Sequence, residues 1–299
     1  MSLLTTSDTG VATARARRTT AQGALKRWVQ RLRQLTASAG WWVLSVGIVI
    51  AIWESAAALQ LINPVILPPP HLFIAEIMNQ AQFLMPAVGV ESSGANLALL
   101  TAIIASLRRV LSGLLLAFVV ALLTGSLAFY LNIFGKLALP TITLLAPIAS
   151  VAWIPLAVIV FGIGDSAAIF VVFIGIVFTL TLATVNNMNN VDQLYINTAR
   201  VLGANRRQVM WYVIFPAILP NLFVITRINL FGAWMGVLAA EMVGVRTGLG
   251  AIVVVGRQMM NMNLTFLGMA IIGLVGYLLD AAFALIQKRV LWWKNIAEL

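Results

Sequence analysis

The sequence predicts an all-α, polytopic membrane protein, and three observations predict it. The 299 residues are 61% hydrophobic and only 9% charged, with a mean hydropathy of +0.99; soluble domains carry roughly 25% charged residues. The apolar residues gather in tracts of about 20 or more, the length that a hydrocarbon core of about 30 Å demands of a helix. The short alternating segments of a membrane β-barrel are missing, so helices are the spanning structure that remains. The chain has no cysteine, hence no disulfide framework and no thiolate metal site. A net charge of +10 in so apolar a chain marks a cytoplasmic face and anionic headgroups. Membrane lipid is therefore an expected partner and nucleic acid is not.

In chain order, residues 1–39 form a basic cytosolic segment whose stretch Ala24–Leu35 is amphipathic. Leu25, Trp28, Val29, Leu32 and Leu35 share one face, as in helices that lie on a membrane surface. Residues 40–299 form the transmembrane domain, with about six spans. Trp41–Ile62 is the first, with Glu54 inside it. Asn63–Pro70 is extended, because its prolines cannot continue a helix. His71–Met85 reads as an interfacial helix; His71, the single histidine, has no cysteine or carboxylate cluster beside it, so no metal site is expected. Residues 86–96 link onward. Arg108 and Arg109 divide Leu97–Leu131 into an apolar lead-in and a second span from Val110. Leu137–Phe161 is the third span, kinked by Pro140, Pro147 and Pro155. After a tight turn at Gly162–Asp165, Ser166–Val185 is the fourth. Pro216–Ala240 is the fifth, with Arg227 and a Gly232–Gly236 pair suited to close helix approach. Glu241–Asn263 is a glycine-rich, re-entrant or interfacial hairpin. Leu264–Ile286 is the sixth span, with Asp280 near its end, and Lys288, Arg289, Trp292, Trp293 and Lys294 anchor it at the interface.

Between the fourth and fifth spans lies a polar, basic island, Asp192–Pro220. With this island inside, alternation leaves both termini cytoplasmic and most Lys and Arg on that side, as the positive-inside rule requires. Arg108 and Arg109, at the outer end of the second span, are the exceptions. An ordinary basic loop would suffice for topology, but the spacing within the island says more. Asn197-Thr198-Ala199 is followed four residues later by Gly203, and after nine more residues by Val213-Ile214-Phe215-Pro216.

This spacing resembles the cytoplasmic signature of ABC-importer permeases. It departs at Asn197 and Thr198, where the family has Glu and Ala. Ser106–Gly113, Pro147–Pro155, Phe161–Gly164, the run from Arg227 to Gly244 and Gly248-Leu249-Gly250 resemble the nitrate, sulfonate, taurine and bicarbonate branch, over roughly residues 41–294. The ending Gln287–Lys294 is similar to the cyanobacterial-type nitrate and bicarbonate group. The resemblance implies a type I ABC-importer permease fold in a bacterial inner membrane and a coupling helix within 192–207. There Asn197, Thr198, Ala199, Arg200, Gly203, Ala204, Arg206 and Arg207 would meet a cytosolic ATP-binding subunit. It implies a second permease copy, a homodimer, and an extracytoplasmic solute-binding protein. Substrate would move by alternating access, with nitrate as first candidate and bicarbonate or a sulfonate next.

The chain holds no G-x-x-x-x-G-K-[ST] loop, so ATP and Mg belong on the partner subunits and this chain is a transport subunit with no cofactor of its own. No Ser/His/Asp or metal-ligand constellation is visible. Arg227, Trp153, Pro155, Trp234 and Glu241 are the candidate substrate-pathway residues. Arg227 either meets the anion or pairs with Glu241 or a helix C-terminus, since intramembrane charges face a pathway or a partner. The alternative class is a stand-alone secondary anion transporter or channel, for which inverted repeats and several intramembrane acids would be the signature. Co-purification with an ATPase separates the two.

Overall fold

The computed structural model describes residues 40–41, 44–59, 63, 67–75, 95–245 and 247–291. The chain divides into two compact units, 1–70 and 71–299. In the first, α1 (Leu44–Ala58) is an apolar helix within the expected first span. The amphipathic stretch 24–35 and the tryptophan anchor at 292–293 lie outside the described residues, as does all but the start of the helix expected over 71–85, where α2 (Pro70–Ala75) forms.

In the second unit the described order is helical throughout. It runs α3 (Ala95–Tyr130), α4 (Asn132–Leu145), a 3-10 turn (Ser150–Trp153), α5 (Ile154–Phe161), α6 (Asp165–Asn189) and α7 (Gln193–Val201). Then come α8 (Arg206–Val209), a π-helical segment (Met210–Ile214), α9 (Phe215–Val243), α10 (Leu249–Gln258) and α11 (Met262–Val290). Among the described residues four helices are long and apolar enough to cross a membrane, and a fifth crossing arises if the bent pair of α4 with the 3-10 turn and α5 counts as one.

Three elements differ from the sequence reading. Arg108 and Arg109 do not interrupt the second span; α3 runs through them as one helix of 36 residues. Their charges are matched by acids from elsewhere in the chain, so the helix has no reason to break there. The third span is broken rather than kinked, with a bend of 99° between its halves. Its prolines act differently. Pro140 lies inside α4, Pro155 sits in the first turn of α5 where its missing N–H is not needed, and Pro147 falls in the break. The hairpin expected over 241–263 is also divided: Glu241 belongs to α9, and α10 folds back on the start of α11, with Gly256 against Thr265 and Gly268 against Ile252 and Val253.

The bundle is centred on α6, half of whose apolar window is buried, against 11% for α11. In a bilayer lipid is as apolar as leucine, so helices associate through close packing and not through burial from water. The sequence supplies small residues for this along one face of α3: Ala98, Ala102, Ser106, Gly113, Ala117 and Ala121. A Cβ on Gly113 would lie 2.6 Å from that of Val172 on α6, and one on Gly125 would lie 2.8 Å from that of Thr184. The hydroxyls of Thr124 and Thr181 meet between the same helices at 3.2 Å.

The elbow of the broken span is seated in the same way. Ser150 lies against Gly175 of α6, where a Cβ would come within 2.5 Å of the serine Cβ, and against Gly236 of α9, where its Oγ would be 3.0 Å away. Gly236 of the small-residue pair is thus used inside the chain, while a Cβ on Gly232 would meet nothing. Gly175→Ala is expected to destabilise the protein by about 1–3 kcal/mol through overpacking. Ser150→Gly in the same chain should restore much of that loss. Strictly additive effects in detergent unfolding titrations of the three variants would rule out this contact as the cause.

Candidate functional site

The basic island folds into an elbow of two short helices, and each boundary has a local cause. Asp192 caps α7, its carboxylate accepting from the Leu194 N–H at 2.8 Å. At the other end Gly203 has φ +86. Its N–H donates to the Arg200 carbonyl at 2.9 Å, and the Ala204 N–H donates to the Ala199 carbonyl at 3.0 Å. These two bonds are the Schellman closure of a helix, which needs a left-handed residue where glycine alone is free of strain. Ala199 and Ala204 are partly buried at that closure. The next helix opens on a reciprocal capping box, with Gln208 N–H to the Asn205 side chain at 2.9 Å and Asn205 N–H to the Gln208 side chain at 2.8 Å.

The elbow is fastened to the bundle by a second apolar cluster. Ile196, Val209 and Ile214 pack with Met188, Ile218 and Leu222, backed by Phe118 and Phe129 of α3. The faces of α7 then part company. Gln193, Ile196 and Arg200 turn toward the end of α3. Asn197 and Thr198 are exposed, as are the apolar side chains Leu194 (67%), Val201 (87%) and Leu202 (82%). These three make an exposed apolar group on an otherwise polar segment. Arg206 and Arg207 are exposed on α8.

The candidate pathway residues do not form one cluster. Arg227 and Asp280 join α9 to α11 by a two-pronged ion pair, Nε to Oδ1 and Nη2 to Oδ2, each 2.7 Å. Their side chains are 40% and 18% exposed. Arg227 therefore pairs with Asp280, not with Glu241 or a helix end. Pro155 is exposed at the start of α5. Trp153 packs on Phe178, and its indole N–H is shielded from solvent with no hydrogen-bond partner. Trp234 is buried, its indole nitrogen 2.9 Å from where a Cβ on Gly276 would stand.

Glu241 belongs to a separate centre. Its fully buried carboxylate accepts from the Arg109 Nη1 at 2.7 Å, from the Ser106 hydroxyl at 2.7 Å and from the Gly250 N–H at 2.9 Å. Arg109, 1% exposed, also binds Asp165 through Nε (2.9 Å) and Nη2 (2.6 Å), and Thr247 through its carbonyl (2.7 Å) and hydroxyl (2.5 Å). Arg108 adds a contact to Asp165. The Ser106 hydroxyl accepts from the Leu249 N–H at 2.9 Å. Gly248, at φ +112, passes so close that a Cβ would run into the Glu241 carboxylate. The cluster ties α3, α6 and α9 to the start of α10.

Sequence reasoning singled out Glu241 and the glycines but took Arg109 for a topological exception, and it missed Asp165 and Thr247 as partners of Arg109 and Ser106 as a partner of Glu241. The available signal was a charge count. Two arginines inside an apolar helix require acids, and Asp165 and Glu241 each stand at the end of a neighbouring span.

The description of binding-protein-dependent transport system inner membrane components matches residues 113–292. The chain is similar to the taurine transport system permease of Escherichia coli, with 30% identity over 264 residues, covering 87% of this chain and 90% of that one. It is similar to the bicarbonate transport system permease of Synechococcus elongatus, with 31% identity over 270 residues, covering 89% and 93%. Its fold is similar to a chain of the MetNI methionine ABC transporter in an inward-facing form, with a TM-score of 0.54 and 21% identity, covering 64% of this chain and 95% of that chain.

Proposed function

The chain belongs to the binding-protein-dependent transport system inner membrane components, the ABC-importer permeases, and from that membership we propose that it is the spanning subunit of an ATP-driven importer of a small oxyanion. The observation that carries this is the elbow: a glycine-closed helix, seated on the bundle by its own apolar cluster, that turns Leu194, Val201 and Leu202 outward. ATP would be hydrolysed on cytosolic subunits docked there, with Asn197, Thr198 and Gly203 at the contact. A second permease copy and an external binding protein would complete the assembly, and alternating access would move the substrate.

The substrate class follows from the relatives and from Arg227. The relatives' names point to a sulfonate and to bicarbonate; nitrate, to whose group the C-terminal motif is similar, has the single negative charge and planar trigonal shape of bicarbonate. A guanidinium has five N–H donors, and Asp280 engages two of its nitrogens. Its remaining donors are open on a side chain 40% exposed within an apolar span. Such a group belongs against a water-filled path or a partner and not against lipid.

Uptake in proteoliposomes, with the co-purifying ATPase and binding protein, tests the proposal. One of taurine, bicarbonate or nitrate should stimulate vanadate-sensitive ATP hydrolysis and accumulate inside. Flux that follows an ion gradient without any ATPase would establish a secondary transporter instead. Arg227→Gln is expected to lower uptake roughly tenfold, the worth of one charge-assisted hydrogen bond, while the ATPase still co-purifies. Undiminished uptake would leave Arg227 a structural partner of Asp280.

A further inference from the structure

We propose that the shoulder formed by the end of α3, α7, α8 and the π-helical segment holds an anionic phospholipid. Two hollows meet there. One, of about 240 Å³, is polar at its rim, with Tyr130, Gln193, Arg200 and Arg206, and has Ile196, Val209 and Ile214 as its floor. The other, of about 650 Å³, is an apolar groove walled by Leu122, Leu123, Leu127, Trp211 and Phe215, with Arg207 at its edge. Tyr130 and Met210 line both, so the two hollows adjoin.

The charges in this place are free. Among the described residues the guanidinium groups of Arg200, Arg206 and Arg207 have no carboxylate or hydrogen-bond partner. This sets them apart from Arg109 and Arg227, whose positions demand acids. Arg200 also points away from the outward face of α7 that carries Leu194 and Val201, so docking of a protein on that face does not consume it. Guanidinium groups converging on a hollow suit a phosphate, which they bind by paired N–H donors.

The groove decides between a lipid and a free anion. From Tyr130 back to Leu122 it follows α3 for about 12 Å, at about 1.5 Å per residue, into the apolar span. A free phosphate has no use for that wall, whereas an acyl chain fills it. The π-helical segment contributes the opposite wall by turning Trp211 outward, 60% exposed and with its ring 5.3 Å from that of Phe215. Single π turns inside α-helices occur often at functional sites. Basic pockets between membrane helices bind acidic headgroups by the same logic of charge at the rim and hydrocarbon beneath.

Trp211 makes the site measurable. The full-length chain, extracted with the subunits that co-purify with it, is placed in nanodiscs of phosphatidylcholine doped with lipid brominated on the acyl chains. Bromine quenches tryptophan on contact, and the Trp211 signal is the difference between the wild type and Trp211→Phe. Brominated phosphatidylglycerol should quench that signal at lower mole fraction than brominated phosphatidylcholine. The preference should fall roughly fivefold for each arginine removed, as expected for a basic residue at an anionic surface, so that Arg200→Gln with Arg206→Gln erases it. Glycerol phosphate at millimolar concentration should not displace the lipid. Equal quenching of the Trp211 signal by the two lipids overturns the proposal, whatever the arginine variants do. Displacement by glycerol phosphate overturns it in favour of a soluble phosphate, and an undiminished preference in the double variant removes the arginines from it.

Discussion

Replacing Arg109 with methionine is expected to cost about 3–5 kcal/mol of stability, the usual penalty for removing one partner of a buried ion pair. The guanidinium is 1% exposed and contacts Glu241, Asp165 and Thr247. Without it the Glu241 carboxylate keeps the Ser106 hydroxyl and the Gly250 N–H but loses its countercharge. Methionine keeps the packing of the stem, so the loss centres on the missing guanidinium and the charge it leaves stranded. Glu241→Gln added to Arg109→Met should recover part of the loss, because it removes the stranded charge. Arg109→Lys should fall between, since the three N–H donors of an ammonium keep the charge but cannot replace the five hydrogen bonds that the guanidinium makes. Detergent unfolding titrations, with proteolysis of the 244–250 segment as a local readout, check the series. An Arg109→Met protein as stable as the wild type would sink the assignment of this cluster as a structural lock.

Gly203→Pro is expected to abolish substrate-stimulated ATP hydrolysis while leaving the chain inserted. Proline cannot reach φ +86 and has no N–H to give the Arg200 carbonyl, so the closure of α7 is lost. Gly203→Ala keeps the N–H and meets roughly 1–2 kcal/mol of left-handed strain; partial stimulation is expected. The elbow lies outside the main core, whose residues come from α3, α5, α6, α9, α10 and α11, so the bundle should survive. Stimulated hydrolysis at the wild-type rate in Gly203→Pro, with the ATPase still bound, would separate this elbow from energy transfer.

The spans were legible because a bilayer imposes length and hydropathy on each one locally. Phe215–Val243 and Met262–Val290 stand within a few residues of the expected spans. The closure at Ala199, Gly203 and Ala204 was legible for a related reason, since its hydrogen bonds join residues no more than five positions apart. Arg109 and Glu241 lie 132 positions apart, and no local pattern announces such a pair; only the surplus of charge in apolar sequence hints at it. The two partners of Arg227 that the sequence left open were both wrong, because Asp280 comes alongside only once α9 and α11 pack. Pro147 showed that a proline would disturb its span, but not that Gly175 and Gly236 would leave room for Ser150 and turn a kink into a break.

From Arg206 to Val243 the helix is continuous over 38 residues, π turn included. It begins at the elbow and ends beside Glu241 and the lock. At about 1.5 Å per residue it is a rod of about 57 Å, and a tilt of about 10° pivoted at one end displaces the other by about 10 Å. The end at the elbow and the locked end are therefore mechanically one object. A push that reaches Arg206 need not travel through a relay of side chains to reach the far face, because the backbone arrives there already, as a lever whose fulcrum is wherever α6 grips it hardest.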